Sequence, residues 1–260
     1  MGIAEEHAMS MAGGLAKQGM VPVIALYSTF LQRAYDQIIQ DVAMLKLHVV
    51  LAVDRAGLVG DDGETHHGVF DVGFLRQIPN ISILAPGSTA ELQDMLEWAV
   101  EEQNGPVAIR YPRGSNRGYS DSAWAFTEDL LQNGALYCHR YGTDAVIVTY
   151  GTMLQNAMDA AQLLSRNGID ITVLRLMTLS PLPVEQIRSF AGEKPVFILE
   201  DSVSGIRDAL GWELRGNRVY GMDLGRIFAT HGDNGSLYRK YGLDAQSVAN
   251  RIQEALKYEN

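Results

Sequence analysis

Val21-Pro-Val-Ile-Ala-Leu-Tyr-Ser-Thr-Phe-Leu-Gln-Arg33 begins as a strand and ends inside a helix. Val21 to Leu26 is an apolar run of strand length, bounded by Gly19. Tyr27-Ser28-Thr29 then puts hydroxyls where a helix N-cap belongs, and Phe30 to Met44 carries the following helix. The same unit recurs upstream. Met1-Gly-Ile-Ala-Glu-Glu-His7 reads as the end of a buried strand turning into a helix over Glu5 to Gln18. Glu5 and Glu6 fall in its first turn, where the helix dipole favours negative charge. Gly13-Gly14 interrupt that helix at a cost in stability, which points to close approach by another backbone or a ligand.

Downstream, His48 to Val53 is a second buried strand, Ile81 to Ala85 a third and Val107 to Ile109 a fourth. Helices are expected over Val69 to Ile78 and Ser88 to Glu102. Continuous apolar strands alternating with helices predict a mainly parallel sheet covered on both faces. The pattern lapses from Gly114 to about Gln132, where Gly, Ser, Asn and Asp are frequent. It restarts with strands at Ala135 to His139, Ala145 to Thr149, Ile171 to Arg175, Val196 to Glu200 and Val219 to Asp223. The intervening helices are Thr152 to Asn167, one opened by Pro181-Leu-Pro183, Ser204 to Arg215, and a closing Asp244 to Tyr258 capped by Asp244. The fold class is therefore α/β in two consecutive domains, 1–115 and 133–260, joined by a linker at 116–132.

The chain has 260 residues, 47% hydrophobic and 20% charged, which is a soluble globular composition. Net charge is 21 − 31 = −10, which argues against nucleic acid or an anionic membrane as a general partner. Cys138 is the single cysteine, so no internal disulfide forms, as suits a reducing cytosol. It reads as a small core residue of a strand. No apolar run has the length of a membrane span, and the start lacks the basic-then-apolar order of a signal peptide. A cytoplasmic location is expected. Met1 to Ala4 enter the fold abruptly, as in a piece of something longer.

In parallel sheets ligands gather at the carboxyl ends of the strands. Tyr27-Ser28-Thr29, the long polar loop Asp54 to Gly68, and Arg110-Tyr111-Pro112-Arg113 each follow a predicted strand and should share one rim. The second domain shows no comparable set of polar loops. Arg33, Arg55, Arg110 and Arg113 could offer planar donors to a phosphate or carboxylate, or could form surface ion pairs. His66 and His67 are adjacent and point apart, so no metal site is expected. A histidine near Asp62 is the better proton donor or acceptor, and His67 reads as a solvent-exposed loop residue. The Walker phosphate loop, the GxGxxG fingerprint and the GxSxG elbow are all missing from the sequence.

Taken together, Tyr27-Ser-Thr-Phe-Leu-Gln-Arg-Ala-Tyr-Asp36, Asp54-Arg-Ala-Gly-Leu-Val-Gly60, Asp62-Gly-x-Thr-His66, Arg110-Tyr-Pro-Arg-Gly114 and Lys240-Tyr-Gly-Leu-Asp-Ala245 resemble the 1-deoxy-D-xylulose-5-phosphate synthase family. These are thiamine-diphosphate enzymes of the transketolase superfamily. The resemblance covers nearly the whole chain and corresponds to the family's central, pyrimidine-binding domain and its C-terminal domain. It implies condensation of pyruvate with glyceraldehyde 3-phosphate and loss of carbon dioxide, at the entry to isoprenoid and thiamine biosynthesis. By alignment Glu5 would hydrogen-bond the cofactor's aminopyrimidine and so promote deprotonation of the thiazolium carbon. Phe30 would pack on the pyrimidine. Tyr27, Arg33, Arg55, Asp62 and Arg113 would form the acceptor-substrate site, the arginines holding phosphate, with His66 near the reacting carbonyl.

There are departures. Family members usually carry glutamine where this chain has Glu6 and often where it has His67, and Glu200-Asp-Ser-Val-Ser-Gly205 replaces a more glycine-rich stretch. The Gly-Asp-Gly motif and downstream Asn that hold diphosphate and Mg2+ in the family's N-terminal domain are absent. The resemblance therefore implies a partner: the missing diphosphate-binding domain or subunit, in an assembly expected to be a homodimer. A split transketolase-type or 2-oxoacid-dehydrogenase-type subunit and a non-catalytic dimerisation module are the alternatives. The face bearing Glu5 is expected to expose apolar residues.

Overall fold

The computed structural model describes residues 2–114, 122–125, 130–203 and 205–257. Most of the expected linker at 116–132 lies outside these. Among the described residues ten strands form two five-stranded sheets. The first contains β1 (Val23–Tyr27), β2 (Val50–Asp54), β3 (Ser82–Leu84) and β4 (Val107–Arg110). The second contains β5 (Leu136–Arg140), β6 (Ala145–Tyr150), β7 (Ile171–Leu176), β9 (Val196–Leu199) and β10 (Val219–Met222). A short strand, β8 (Thr178–Ser180), follows β7 after one residue yet pairs antiparallel with β3, giving the order β1-β2-β4-β3-β8 in the first sheet. The second runs β10-β9-β6-β7-β5, with β5 antiparallel at its edge.

β8 is a strand that sequence reading misses. Three residues are too few to show a period, and one side of its pairing comes from nearly a hundred residues away. It carries the chain from the second sheet straight onto the first, and the Ala85 amide bonds Met177 O at 2.9 Å. One apolar cluster accordingly spans both halves, joining Leu51, Val53 and Ile83 to Val148, Leu174, Leu179 and Ile198. β6, β7 and β9 are buried along their length, as expected of continuous apolar runs.

The helices are α1 (Glu5–Lys17), α2 (Ser28–Leu31), α3 (Tyr35–Gln37), α4 (Asp71–Leu75), α5 (Thr89–Glu101), α6 (Leu130–Asn133), α7 (Met153–Ser165), α8 (Val184–Ala191), α9 (Arg207–Glu213), α10 (Asn234–Tyr241) and α11 (Ala245–Lys257). Several differ from expectation. Gly2 to Ala4 are irregular rather than the end of a strand. The helix expected over Phe30 to Met44 is a composite, in which 3-10 geometry at Gln32–Ala34 and a π segment at Ile38–Ala43 alternate with α2 and α3. No hydroxyl caps α2: Tyr27 is the N-cap, and Thr29 Oγ1 instead donates to Thr65 O at 3.2 Å. α10, capped by Asp233, was unforeseen. Gly13 behaves as its pairing with Gly14 suggested. A Cβ there would sit 2.7 Å from Asp41 O, so α1 can lie against the π segment only with glycine at this position.

Candidate functional site

Three neighbouring strand ends build the site. β1 and β2 run in parallel register that puts Tyr27 beside Asp54, and β4 continues into Tyr111, whose amide bonds Val53 O at 3.0 Å. The segments carrying Tyr27, Arg55 and Arg113 therefore leave the sheet side by side. Arg55 takes a left-handed backbone conformation, φ 58°, which a non-glycine residue adopts at a cost of about 1–2 kcal/mol. The Asp54 side chain offsets part of this by accepting from the Arg55 amide at 2.7 Å. The turn aims the guanidinium across the Tyr27 ring, 4.0 Å from its centroid.

The loop after Arg55 closes on itself. Gly57 and Gly68 exchange amide bonds of 2.7 and 2.9 Å at its base. Gly68 lies against Ser28, where a Cβ would meet Oγ at 2.6 Å, so only glycine fits. The loop tip brings Asp62 back to Arg55 as an ion pair, and Arg113 reaches the other Asp62 oxygen at 3.4 Å. Tyr27 stacks on Phe30 at 5.6 Å, and Phe30 meets His66 edge-on at 5.5 Å. Arg33 lies 5.4 Å over Phe30 and pairs with Glu5 at 3.3 Å. Glu5, Tyr27, Phe30, Arg33, Arg55, Asp62, His66 and Arg113 are thus linked contact by contact. The arginines divide: Arg55 and Arg113 share Asp62, while Arg33 stands with Glu5 beyond the aromatic pair.

Two residues are placed differently from the sequence reading. Arg110 is not on the rim. It is buried, with Nε and Nη2 donating to Asp71 at 2.9 and 3.3 Å and its guanidinium 5.1 Å from the Tyr150 ring centroid. Burial opposes its charge, but Asp71 and Tyr150 outweigh that and hold the guanidinium protonated. His67 is buried rather than exposed. The second domain also supplies polar groups that were not foreseen. Glu200, Asp201 and Ser202 are buried at the end of β9. The Tyr150 hydroxyl donates to Glu200 Oε2 at 2.8 Å, and the same carboxylate accepts the Ile206 amide at 3.0 Å. Burial pushes the Glu200 carboxyl up to about 7 in spite of these donors. No sequence signal marks Asp71 or Glu200 beyond their place at strand and helix ends. Cys138 is only half-buried in β5, and burial raises its thiol.

Two cavities border the site. One of about 390 Å³ lies between the halves, lined by Arg55, Tyr111, Arg113, Gly87, Thr152 and Gln155. Arg55 Nε is buried and has no partner among the described residues, which leaves a donor for an anion in its vicinity. The other, about 480 Å³, is an apolar groove beside Glu5, between α1 and the edge strand β1, lined by Ala8, Met11, Leu15, Val23 and Ala25. Ile3, Met11, Met20 and Val23 are exposed on this side, as expected for the Glu5 face.

Residues 1–118 match the family "Transketolase, pyrimidine binding domain", and residues 134–248 match "Transketolase, C-terminal domain". The chain belongs to the transketolase family. Its transketolase domains are 44% identical over 264 residues to 1-deoxy-D-xylulose-5-phosphate synthase of Chlorobaculum tepidum, covering 99% of this chain and 41% of that protein. The synthase of Clostridium acetobutylicum is 42% identical over 259 residues, 97% of this chain and 41% of the relative. The chain therefore spans about two fifths of the length of the curated relatives it matches. Among solved structures, a split gene transketolase described as an inactive beta4 tetramer superposes with a TM-score of 0.85 at 28% identity, over 99% of this chain and 83% of that one. Leishmania mexicana transketolase gives a TM-score of 0.77 over 97% of this chain and 37% of its own, and at 24% identity the likeness is one of fold.

The pyrimidine-binding match implies thiamine diphosphate as the cofactor. The residues at the α1 end of the site fit the pyrimidine of that cofactor. Arg33 links the buried carboxylate of Glu5 to the half-buried aromatic ring of Phe30, a set that suits a flat heterocycle with ring nitrogens. Among the described residues no group of three or more His, Cys, Asp or Glu could hold a metal ion. No helix among them is long and apolar enough to cross a membrane.

Proposed function

We propose that this chain is the pyrimidine-binding and C-terminal part of a 1-deoxy-D-xylulose-5-phosphate synthase, joining pyruvate to glyceraldehyde 3-phosphate with release of carbon dioxide. The observation that carries the reading is the ion-paired cluster Arg55–Asp62–Arg113 stacked on Tyr27, in a chain whose curated relatives at 44% identity bear that name. Bound thiamine diphosphate supplies the electron sink for decarboxylation. The Glu5 carboxyl would give a proton to, or share one with, a pyrimidine ring nitrogen, and its burial strengthens that bond. Phe30 packs on the ring, and Arg33 holds the Glu5 carboxylate in place. Arg55 and Arg113 bind the acceptor's phosphate, with Asp62 fixing both guanidinium planes. His66, edge-on to Phe30, supplies a proton to the acceptor's carbonyl oxygen as the new carbon–carbon bond forms.

The cofactor's diphosphate and Mg2+ are assigned to a further domain or subunit, within the same polypeptide or separate, that covers the apolar groove beside Glu5. On this reading the 260 residues alone are inactive, work in the cytoplasm and assemble as a homodimer with that region present. The test is complementation. The chain is mixed with the N-terminal part of the Chlorobaculum tepidum synthase, Mg2+, thiamine diphosphate, pyruvate and glyceraldehyde 3-phosphate. Formation of 1-deoxyxylulose 5-phosphate, seen by mass spectrometry and dependent on both proteins, supports the reading. The likeness to the split gene transketolase favours one alternative, a subunit of a transketolase-type enzyme. Turnover of a ketose phosphate donor in place of pyruvate would select it.

A further inference from the structure

The loop that carries Arg55, Asp62 and His66 is gripped from the second domain, and His67 is the centre of that grip. His67 is 3% exposed. Its Nδ1 accepts the Val59 amide at 3.1 Å, and its Nε2 lies 3.1 Å from Thr230 O. An amide can only donate and a carbonyl can only accept, so the ring is the neutral tautomer with its proton on Nε2. Thr230 is itself held: its amide donates to the Tyr241 hydroxyl at 2.8 Å, and Lys240 Nζ donates to its Oγ1 at 2.8 Å.

Neighbouring contacts act on the same few residues. The Leu58 amide donates to Asp201 at 3.3 Å, and Asp201 packs so closely on Gly57 that no side chain fits there. At Gly60 a Cβ would meet Asn234 Oδ1 at 2.9 Å. Val59 is fixed at both polar ends, because its carbonyl accepts from Arg113 Nη1 at 3.4 Å while its amide is on His67. A continuous path therefore runs from the second domain through Thr230, His67 and Val59 to Arg113 and Asp62.

We propose that His67 is a positioning residue. As the Nε2–H tautomer it latches the loop to Thr230 and, through Val59, sets Arg113 and Asp62 for the phosphate of the acceptor. The proposal rests on the acceptor-site reading above. In the second domain, Thr230 and Asp201 act as the fixed wall against which the loop is held. Without His67 the buried Val59 amide and the carbonyl of half-buried Thr230 each lose a partner.

The test uses the full chain and NMR, with inorganic phosphate as the probe. Histidine ¹⁵N signals of His67 should show one protonated and one accepting nitrogen. His67→Leu should speed hydrogen exchange of the Leu58 to His66 amides by at least about tenfold, with Leu51 and Ile147 unchanged. It should weaken the phosphate response of the Arg55 and Arg113 guanidinium signals by about threefold to tenfold. His67→Gln, whose amide offers an acceptor and a donor at a similar spacing, should restore both within about twofold. Should His67→Leu fail to fold, Tyr241→Phe loosens Thr230 from its far side and is read in the same way. A wild-type phosphate response that His67→Leu leaves unaltered overturns the latch alone. Failure of phosphate to move Arg55 or Arg113 in the wild type overturns the acceptor-site reading, and with it the functional half of this proposal.

Discussion

Arg55→Ala separates the structural from the functional work of one side chain. The arginine makes an ion pair with Asp62, with side-chain exposures of 24% and 21%, and stacks on Tyr27 at 4.0 Å. A partly exposed ion pair contributes about 0.2–1 kcal/mol, and a cation–π contact that is not fully desolvated about 0.5–1 kcal/mol. Alanine keeps the left-handed backbone at this position, so the strain does not change. The loss of stability should be about 1–2 kcal/mol, read from urea denaturation of the chain. Arg55→Gly should recover up to about 1 kcal/mol of it by relieving φ 58°. The kinetic loss should be larger. A charge-assisted contact to phosphate is worth about 1.5–3 kcal/mol, so the Michaelis constant for glyceraldehyde 3-phosphate in the complemented enzyme should rise about tenfold to a hundredfold. The constant for pyruvate should stay within about twofold. A stability loss of the stated size with an unchanged constant for the acceptor would show that Arg55 only braces the loop.

The two adjacent glycines of α1 should respond in opposite senses. Gly14→Ala meets nothing within 4 Å and should stabilise the chain by about 0.5–1 kcal/mol, whereas Gly13→Ala drives a Cβ to 2.7 Å from Asp41 O and should destabilise it by about 1–3 kcal/mol. Melting temperatures decide this, and equal shifts would disprove the close approach of α1 to the π segment. Glu200 should make stability depend on pH. Its folded value of about 7 lies above its ordinary 4.5. The native state therefore holds the proton more tightly, and this contribution is full below the ordinary value and lost as pH rises through the folded one. Roughly 3 kcal/mol should disappear across that window, and Glu200→Gln should flatten the curve. A variant with the wild-type slope would place the titration elsewhere.

The alternation of strand and helix was readable because the central strands β4, β6, β7 and β9 are buried along their length and so are largely apolar. The rim was readable for the same reason. Once Val23–Tyr27, Val50–Asp54 and Val107–Arg110 are strands of one parallel sheet, the residues after them must emerge together. What escaped depends on partners distant in sequence. Arg110 looks like a rim arginine until Asp71 is folded against it, and His67 looks like a loop histidine until Thr230 covers it. β8 shows no pattern of its own, since it is a strand only because β3 has a free edge. The missing hydroxyl cap at α2 has a similar cause. Thr29 turns to the loop at Thr65, and Gly68 packs on Ser28, so tertiary contacts claim both residues.

The central claim is that Glu5 is the carboxylate that works on the cofactor's pyrimidine, with the acceptor's phosphate held at the other end of the same contact chain. Proton exchange at the thiazolium carbon of thiamine diphosphate, followed by NMR in the complemented enzyme, tests it most directly. Glu5→Ala should slow exchange by about a hundredfold to ten-thousandfold, the range of general acid–base contributions. Arg113→Ala should leave exchange within about twofold of wild type, because its contacts are with Asp62, Val59 and, in the proposed function, the acceptor's phosphate, and none is with the pyrimidine end of the site. Equal exchange in the wild type and Glu5→Ala, or equal slowing in both variants, would contradict the account.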